Sequence, residues 1–591
     1  MLGRPATGDR SVAVFLMRQA AATPEGIAYT FLFGRDAAEE SITYAELDRK
    51  AQAIGAELQS RGLEGERAVL MCEPGLAFAA AFFGCLYAGT IAVPICPPRR
   101  NRGLGRIRSV VCDCNPAIML VGHDWGERCA ALANDAPELA DLPWLAVNDL
   151  ADHLSANWRP SHFGPERIAL LQYTSGSTAK PKGVVLTHLN ILHNQQRIRD
   201  AFEHDERSVV VGWLPLFHDM GLIGNLLQPM YVGCRCVLMS PTLFLQRPIR
   251  WLRAIGRYGA TTSGGPNFAY DLCVDATTPE EREGLDLSSW TLAFNGAERI
   301  RPATLQRFAK TFEPFGFRAD AFYPCYGLAE ATLIVTGGRK SDPVVMRDRP
   351  VLEPTSEGTR AGAAAIQETS RLIGCGVALP GNDIRIVDPD TFAPLPEGRV
   401  GEIWIAGGNV AAGYWNKPEA TRLSFGASLA GDGDGSRFFR TGDLGFVVDR
   451  ELFVVSRLKD LIIVRGRNFY PEDLEASVLA SHPLLRHHIC AVVPIEHEGA
   501  ERVGVIVEVS NRRAINFDEL SWSINRQMVL EHEVEPHHVT FIRQNTLPRT
   551  SSGKVQRHLC RLALERGTLD TVAERGNVVV ASIESRVIGA R

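Results

Sequence analysis

The sequence has no C-x-x-C pair, although its 591 residues include thirteen cysteines. The only close spacings are two C-x-C pairs, Cys112/Cys114 and Cys234/Cys236. Scattered thiols of this kind are typical of reduced cysteines and argue against a disulfide framework or a zinc site. The first residues also lack an apolar run followed by a small-residue cleavage site. We therefore expect a cytoplasmic protein rather than a secreted one.

Neither sign of charge dominates, because the net charge is only −5. Nothing in this balance indicates tight binding to nucleic acid. Long apolar runs are also scarce, and residues 77–95 are the one stretch that stays uncharged for about the length of a membrane span. Gly84, Gly89 and Pro94 interrupt it. We predict a buried helix, a glycine break and a core strand there, and no integral membrane segment.

Short apolar strands alternate with helical patterns as far as about residue 310, which predicts an α/β fold with parallel sheets covered by helices. Thr43 and Glu46 form a capping-box pattern, so a helix is expected from there to about Arg61. Brief strands separated by proline and glycine predict a small β-rich subdomain at about 376–458. A smaller α/β unit follows. We place the boundary at Lys459, giving a large N-terminal domain (1–458), a C-terminal domain (459–591) and a peripheral tail over the last twenty residues.

A glycine- and hydroxyl-rich loop, Tyr173-Thr-Ser-Gly-Ser-Thr-Ala-Lys-Pro-Lys-Gly183, joins an apolar strand to the strand at Val184–Thr187. Small residues let backbone N–H groups approach an anion, while hydroxyls and lysines add donors and positive charge. The pattern indicates a polyphosphate site. It is not a Walker A loop, because the G-x-x-x-x-G-K-[ST] spacing is absent. A flexible surface loop is the alternative interpretation.

This loop resembles the signature loop of the adenylate-forming superfamily, which includes acyl-CoA synthetases, luciferases, peptide-synthetase adenylation domains and fatty acyl-AMP ligases. Seven further matches follow in the family's order: Gly212–Leu222, Asn295–Glu298, Tyr326–Glu330, Gly401–Ile405 followed by Gly413-Tyr-Trp, Arg440–Gly445, Ser456–Asp460 and Pro548–Lys554. Together they cover almost the whole chain. The resemblance implies a substrate carboxylate that attacks the α-phosphorus of ATP.

The resemblance also implies roles for individual residues. The phosphates of ATP would be held by Thr174, Ser175, Gly176, Ser177, Thr178 and Lys182. Mg²⁺ would bind Glu330 together with Thr174, since a hard cation favours oxygen ligands. Tyr326 would stack on adenine, whose other face would meet Gly296 and Ala297. Asp443, helped by Arg457, would accept hydrogen bonds from the ribose hydroxyls.

Three further residues would act during catalysis. Lys554 would reach between the incoming carboxylate and the α-phosphate and stabilise the charge of the transition state. His218 would lie beside the acyl carboxylate, although a packed or capping histidine is an open alternative. Lys459 lies at the family's hinge, where the C-terminal domain is expected to rotate as a mobile lid between the two half-reactions. The alternative for Lys554 is a solvated surface lysine, and the alternative for Lys459 is a plain linker lysine.

Within the superfamily the chain is most like the fatty acyl-AMP ligases. The motifs at Trp213–Leu222 and Arg457–Asn468 resemble the versions found in that group. An insertion-like segment at about 341–372 also favours it. In these ligases the insertion is thought to disfavour transfer to free coenzyme A. No phosphopantetheine site follows Lys554, so a separate holo acyl carrier protein, or a carrier domain of a synthase, is the expected partner. An acyl-CoA synthetase is the closest alternative; a luciferase-like oxygenase, an amino-acid-activating domain and a non-enzymatic acyl-binding protein are less favoured.

Overall fold

A computed structural model gives the fold of the protein. It describes residues 11–34, 37–98, 104–122, 136, 139, 141–160, 164–174, 181–348, 371–431, 435, 437–464, 467–486, 488–497, 500–510, 515–550 and 553–576.

The strands are β1 (Ile27–Phe33), β2 (Ala38–Thr43), β3 (Arg67–Leu70), β4 (Ile91–Pro94), β5 (Ile118–Val121), β6 (Trp144–Ala146), β7 (Ile168–Thr174), β8 (Lys182–Thr187), β9 (Val209–Gly212), β10 (Arg235–Met239), β11 (Thr262–Gly264), β12 (Leu292–Asn295), β13 (Phe322–Gly327), β14 (Ile334–Gly337), β15 (Met346–Asp348), β16 (Arg371–Ala378), β17 (Asn382–Val387), β18 (Gly401–Gly407), β19 (Gly413–Tyr414), β20 (Phe439–Val448), β21 (Glu451–Arg457), β22 (Ile462–Val464), β23 (Arg467–Phe469), β24 (Cys490–His497), β25 (Ala500–Val509), β26 (Pro536–Arg543) and β27 (Thr571–Gly576).

The α-helices are α1 (Val14–Ala22), α2 (Tyr44–Ser60), α3 (Leu76–Ala88), α4 (Gly105–Cys114), α5 (His188–Phe202), α6 (Gln228–Val232), α7 (Pro241–Gln246), α8 (Ile249–Tyr258), α9 (Asn267–Asp275), α10 (Pro279–Arg282), α11 (Pro302–Phe312), α12 (Pro418–Phe425), α13 (Pro471–Ala480), α14 (Phe517–His532) and α15 (Arg557–Glu565). A π-helix covers Met220–Leu227, and short 3₁₀ turns include Ala329–Ala331 and Leu458–Asp460.

Local signals fixed several of these elements. The predicted helix after Thr43 is confirmed, because Thr43 and Glu46 form the reciprocal capping box that begins α2. The segment at 77–95 is confirmed as a buried helix and strand, since α3 ends at Gly89 in the left-handed region (φ 69°) and β4 follows. None of the helices in the described ranges has both the length and the apolar character needed to span a bilayer.

The strands form two large sheets, a four-stranded sheet and a two-stranded sheet, β22-β23. The first has the order β17-β18-β20-β21-β16-β14-β13-β12-β11-β9-β10-β1-β2, and the second β19-β8-β7-β4-β3-β5-β6. Strands from β1 to β13 in the first sheet pair in parallel except for β2, whereas those beyond β13 pair antiparallel. The predicted parallel and β-rich regions are thus parts of one sheet that changes direction of pairing at β13.

The elements after residue 460 build their own small core. Strands β24–β27 form a four-stranded sheet, and apolar residues of α13 and α14 pack with it in a separate cluster around Val505 and Phe541. Arg557 of α15 pairs with Glu475 (2.7 Å), Glu472 (2.9 Å) and Asp460 (3.1 Å), tying this unit to the 3₁₀ turn at Leu458–Asp460. The predicted tail was wrong at its start, because β27 extends this sheet through antiparallel pairing with β26.

The predicted insertion at 341–372 lies mostly outside the described residues. Its two described flanks, β15 and the beginning of β16, pair with each other antiparallel.

Candidate active site

A cleft of about 1400 Å³ opens beside β9, β11, β12 and β13, where their carboxyl ends lie. Ligands commonly bind at this edge of parallel sheets. Its walls include nine of the predicted site residues: Thr174, His218, Gly296, Ala297, Tyr326, Glu330, Asp443, Arg457 and Lys554. Ser175, Gly176, Ser177 and Thr178 lie outside the described residues. The cleft therefore brings together motifs that are spread over almost 400 positions of sequence, from Thr174 to Lys554.

The hydroxyl-rich loop is held at both ends by the β7–β8 pair. Thr174 lies opposite Lys182, and Tyr173 lies opposite Gly183. A Cβ at Gly183 would come within 2.9 Å of the Tyr173 ring, so only glycine fits beneath that ring. Tyr173 donates its hydroxyl to Asp113 at 2.7 Å, and Asp113 also pairs with Lys417. These contacts hold Tyr173, the residue with which the loop begins, in place.

Positive charge is concentrated near this loop. Burial lowers the pKa of Lys182, and the neighbouring cations Lys459 and Lys417 lower it further, while Glu330 opposes them. The Lys182 ammonium lies 4.6 Å from the centre of the Tyr414 ring, which offers it only a weak cation–π contact. Partly desolvated like charges are destabilised until an anion arrives. The arrangement is suited to a polyphosphate.

Glu330 lies in the 3₁₀ turn after β13, and burial raises the pKa of its carboxyl. The Tyr414 hydroxyl donates to Glu330 Oε1 at 3.0 Å. Among the described residues there is no group of three or more metal-ligating side chains. A cation here would take most of its ligands from phosphate and water, which is how Mg²⁺ is usually bound. The desolvated Glu330 carboxylate, in the same cleft as Thr174, therefore fits Mg²⁺ carried by a nucleotide.

Asp443 has both carboxylate oxygens engaged. Tyr326 donates its hydroxyl to Oδ2 at 2.8 Å, and Arg457 donates Nε to Oδ1 at 3.1 Å. Asp443 and Arg457 are direct partners on β20 and β21, so the sheet register itself sets this pair. The Asp443 carboxylate is held in one orientation in the cleft, where a carboxylate can accept from a pair of vicinal hydroxyls.

Gly296 and Ala297 form the wall after β12. A Cβ at Gly296 would come within 2.8 Å of the Cys325 carbonyl oxygen, which excludes larger residues. Ala297 has φ 73°, a left-handed conformation that non-glycine residues adopt only at a cost. Glu298 then accepts from the backbone and side-chain N–H groups of Asn267, both at 3.0 Å, at the beginning of α9. This tight turn places Gly296 and Ala297 in the lining of the same cleft as Tyr326.

His218 and Asp219 precede the π-helix. Burial lowers the pKa of His218 to about 3, with Arg106 and Lys554 adding to the effect. The imidazole is therefore neutral near pH 7 and can act as a hydrogen-bonding group but not as a cation. Burial raises the pKa of Asp219, whose carboxylate accepts from the Met220 N–H at 2.8 Å.

Lys554 reaches the cleft from the C-terminal unit. Its backbone is fixed by two hydrogen bonds with Thr550, from Thr550 N to Lys554 O (2.8 Å) and from Lys554 N to Thr550 Oγ1 (3.0 Å). Burial lowers the pKa of Lys554, and Arg457 lowers it further, whereas Asp219, Glu298 and Asp443 oppose the shift. An ammonium is thus held among the carboxylates of the large unit. Lys459, by contrast, is exposed in the turn at Leu458–Asp460 and is not among the residues that line the cleft.

The sequence did not assign roles to Tyr414 and Glu298, although both lie in matched motifs. Tyr414 contacts two of the predicted site residues, since its hydroxyl donates to Glu330 and the Lys182 ammonium lies over its ring. The partners are 84 residues apart in the first case, so no local pattern could have revealed the contact.

Replacing Tyr414 with phenylalanine is expected to raise the Mg²⁺ concentration needed for half-maximal activity by about 10- to 100-fold. The change removes the hydrogen bond that orients Glu330 and keeps the ring under Lys182. Magnesium titrations of acid-dependent pyrophosphate release would measure it. Tyr323→Phe is the control, because it removes a buried hydroxyl bonded to Gly338 O at 2.9 Å, away from the cleft lining. An equal shift in both variants would contradict the prediction.

On the alkaline side, the dependence of kcat/KM on pH is expected to report the deprotonation of Lys554. Because only the protonated amine carries charge, kcat/KM for ATP is expected to fall as pH rises through a pKa below its usual value of 10.5. In Lys554→Arg the cation persists, so this alkaline limb should move to higher pH. His218 is neutral over this range, so its titration should cause no change in kcat/KM between about pH 5 and 8. Identical alkaline limbs in the two proteins would count against Lys554.

Four features define the class of protein: a phosphate-type loop, a buried carboxylate suited to a metal, an ion pair between Asp443 and Arg457, and a lysine from a second unit. They are typical of enzymes that close two units around a nucleoside triphosphate.

Comparison with known proteins agrees with this class. Residues 16–415 match the family of AMP-binding enzymes, and residues 459–573 match the AMP domain of Disco-interacting protein 2-like proteins. The chain therefore belongs to the AMP-binding, adenylate-forming superfamily.

Several relatives are similar over nearly their full length. The medium-chain-fatty-acid–acyl-carrier-protein ligase JamA of Moorena producens is 42% identical over 94% of this chain and 95% of its own. The long-chain-fatty-acid–AMP ligase FadD23 of Mycobacterium tuberculosis is 36% identical over 91% and 93%. A structure of the fatty acyl-adenylate ligase from Legionella pneumophila, solved with acyl adenylate and pyrophosphate, has a TM-score of 0.74 and 39% identity over 98% of this chain and 99% of that one.

Proposed function

We propose that this protein is an ATP-dependent fatty acyl-AMP ligase that passes its acyl group to the phosphopantetheine thiol of a separate acyl carrier protein. The observation that carries the proposal is the placement of Lys554 in the same cleft as Thr174, Glu330 and Asp443. The names of the similar proteins support a fatty acid as substrate and a carrier as acceptor. A cytoplasmic location remains part of the proposal.

In the first half-reaction a carboxylate oxygen of the acid attacks the α-phosphorus of ATP. The bond from that phosphorus to the bridging oxygen of the β-phosphate breaks, and pyrophosphate leaves. The protein supplies alignment and charge, since such transfers depend mainly on both. The loop from Thr174 to Lys182 would hold the phosphates, Asp443 with Arg457 the ribose, and Gly296, Ala297 and Tyr326 the adenine.

Lys554 would lie between the two anions that react, screening their repulsion and stabilising charge on the α-phosphate. His218, being neutral, would donate a hydrogen bond to the acyl carboxylate. Glu330, with Thr174, would bind Mg²⁺, which neutralises phosphate charge when bound. The orientation of Glu330 by Tyr414 would set the position of that charge.

The acyl chain would occupy the inner, apolar part of the cleft. Its walls there include Ile198, Phe202, Val210, Leu333 and Ile334. Burial of alkyl groups against such walls contributes about 0.8 kcal/mol per CH₂, so chain length should affect affinity strongly.

In the second half-reaction the thiol sulfur attacks the acyl carbonyl carbon, and AMP leaves. Lys554 has no part in that step, so the unit of residues 459–591 would rotate about Lys459 away from residues 1–458. The segment at 341–372 would limit this movement and disfavour free coenzyme A.

The test is to incubate the enzyme with ATP, Mg²⁺ and a series of fatty acids, and to detect acyl-AMP by mass spectrometry. Holo carrier protein or coenzyme A is then added in parallel. We expect acyl-AMP to accumulate and to be consumed by the carrier protein. Absence of acyl-AMP with every acid would refute the activity, whereas fast acyl-CoA formation would assign the chain to the acyl-CoA synthetases.

A further inference from the structure

The inner part of the cleft contains polar atoms that an alkyl chain could not use. Within the described part of the chain, His204 Nδ1 and Asn225 Nδ2 are buried without a hydrogen-bond partner, and both residues line the cleft. His204 is 7% exposed and Asn225 1% exposed. A buried polar atom without a partner is destabilising, so it points to a ligand group that completes it.

His204 lines the cleft away from the residues predicted to bind the nucleotide, and the strand register gives its distance from them. Its Nε2 is 2.9 Å from Thr262 Oγ1, and Thr262 is the first residue of β11. Thr262 pairs with Leu292 of β12, and Gly296 follows Leu292 by four residues. At roughly 3.3 Å per residue, Thr262 lies about 13 Å along the strand direction from the wall predicted to face adenine, and His204 is bonded to Thr262.

The contacts of His204 keep its ring in place. Phe202 packs edge-on against it with ring centres 5.3 Å apart, and Phe202 itself lines the cleft. Asn225 lies nearer the nucleotide, because a Cβ at Gly212, at the carboxyl end of β9, would be 2.4 Å from its Nδ2. The two unpaired atoms thus lie at different positions along the sheet, with that of Asn225 closer to the carboxyl ends of the strands.

The chemistry of a neutral imidazole selects among possible partners. Burial lowers the pKa of His204 to about 4, so near pH 7 the ring has one N–H and one acceptor nitrogen. Thr262 can donate to or accept from Nε2, so either tautomer of His204 is compatible with it. A hydroxyl group has the same versatility and matches Nδ1 in both tautomers. A carboxylate would add a desolvated charge to this apolar end.

We propose that the preferred substrate is a fatty acid with a hydroxyl group near the far end of its chain, recognised by His204. The inference rests on the proposed function and specifies the acid that it activates. Asn225 offers a second, shallower donor for an oxygen atom or a water carried with the chain.

The experiment compares pairs of acids of equal chain length, with and without a hydroxyl on the terminal or penultimate carbon. Acid-dependent ATP–pyrophosphate exchange gives kcat/KM for each. We expect the hydroxylated acid to be preferred by about tenfold at the length that reaches His204. The double variant His204→Phe, Thr262→Val replaces both hydrogen-bonding partners with apolar groups of similar shape and should reverse the preference.

Equal or better use of the unsubstituted acid by the unaltered enzyme, at every length, would overturn the inference. That comparison needs no variant, so it stands even if the double variant does not fold. Retention of the hydroxyl preference in a folded double variant would also overturn the role of His204. If neither the hydroxylated nor the unsubstituted acids support exchange, the proposed function fails and this inference fails with it. If only the unsubstituted acids support exchange, the proposed function stands and this inference alone is refuted.

Discussion

Replacement of Lys554 by methionine is expected to slow acid-dependent pyrophosphate release by about 100- to 1000-fold while leaving ATP binding nearly unchanged. Loss of a single preorganised group that stabilises transition-state charge has effects of this size. The residues predicted to hold ATP, among them Thr174 and Asp443, belong to other elements and remain in place. Single-turnover assays would give the rate, and calorimetry with ATP the affinity.

The specificity of the Lys554 effect can be tested in two ways. Lys310→Met removes an exposed lysine of α11 and should leave the rate unchanged. Transfer from preformed acyl-AMP to carrier protein should also proceed in the Lys554 variant, because that step does not use the lysine. If pyrophosphate release is unchanged, or if ATP affinity falls by as much as the rate, Lys554 is not the residue that stabilises the transition state.

The sequence predicted those parts of the fold whose signals are local. The capping box at Thr43 and the glycine break after α3 were found because neighbouring residues determine them. The same reasoning failed at β27, because polar Thr571–Gly576 forms a strand only through its pairing with β26. It also could not show that the parallel and antiparallel regions share β13, since strand order depends on long-range pairing.

The candidate site likewise has a part that the sequence predicted and a part that only the folded chain shows. Motif order identified the residues that line the cleft, but their contacts join distant positions. Tyr326 and Asp443 are 117 residues apart. Sequence reasoning predicted only a stacking role for Tyr326, whereas its hydroxyl also donates a hydrogen bond to Asp443. Tyr414 received no role, because only the folded chain brings it against Glu330 and Lys182. Ser175–Thr178 stay a prediction, since they lie outside the described residues.

The charges of the cleft are arranged so that each is unfavourable alone. Burial raises the pKa of Glu330 and lowers the pKa values of Lys182 and Lys554, so in both classes the charged form is disfavoured. Carboxyl pKa values that are raised and lysine pKa values that are lowered at the same place are typical of functional sites. A triphosphate beside the lysines and a divalent cation beside the carboxylate would stabilise all three charged forms together. Binding of nucleotide with metal should therefore be cooperative.

Glu330→Gln tests this coupling and is expected to weaken Mg²⁺-dependent ATP binding and pyrophosphate release by more than about 100-fold. Glutamine keeps the size of the side chain and an oxygen that can accept from Tyr414, but it removes the charge that a metal needs. The loss should exceed that of Tyr414→Phe, because a ligand contributes more than the group that orients it. Calorimetric titration of ATP with and without Mg²⁺ measures the coupling directly.

Glu451→Gln is the matched control, since Glu451 is a partly buried carboxylate that accepts from Gly376 N at 2.7 Å outside the cleft lining. If ATP binding to Glu330→Gln remains as dependent on Mg²⁺ as in the unaltered protein, Glu330 is not the metal-binding carboxylate.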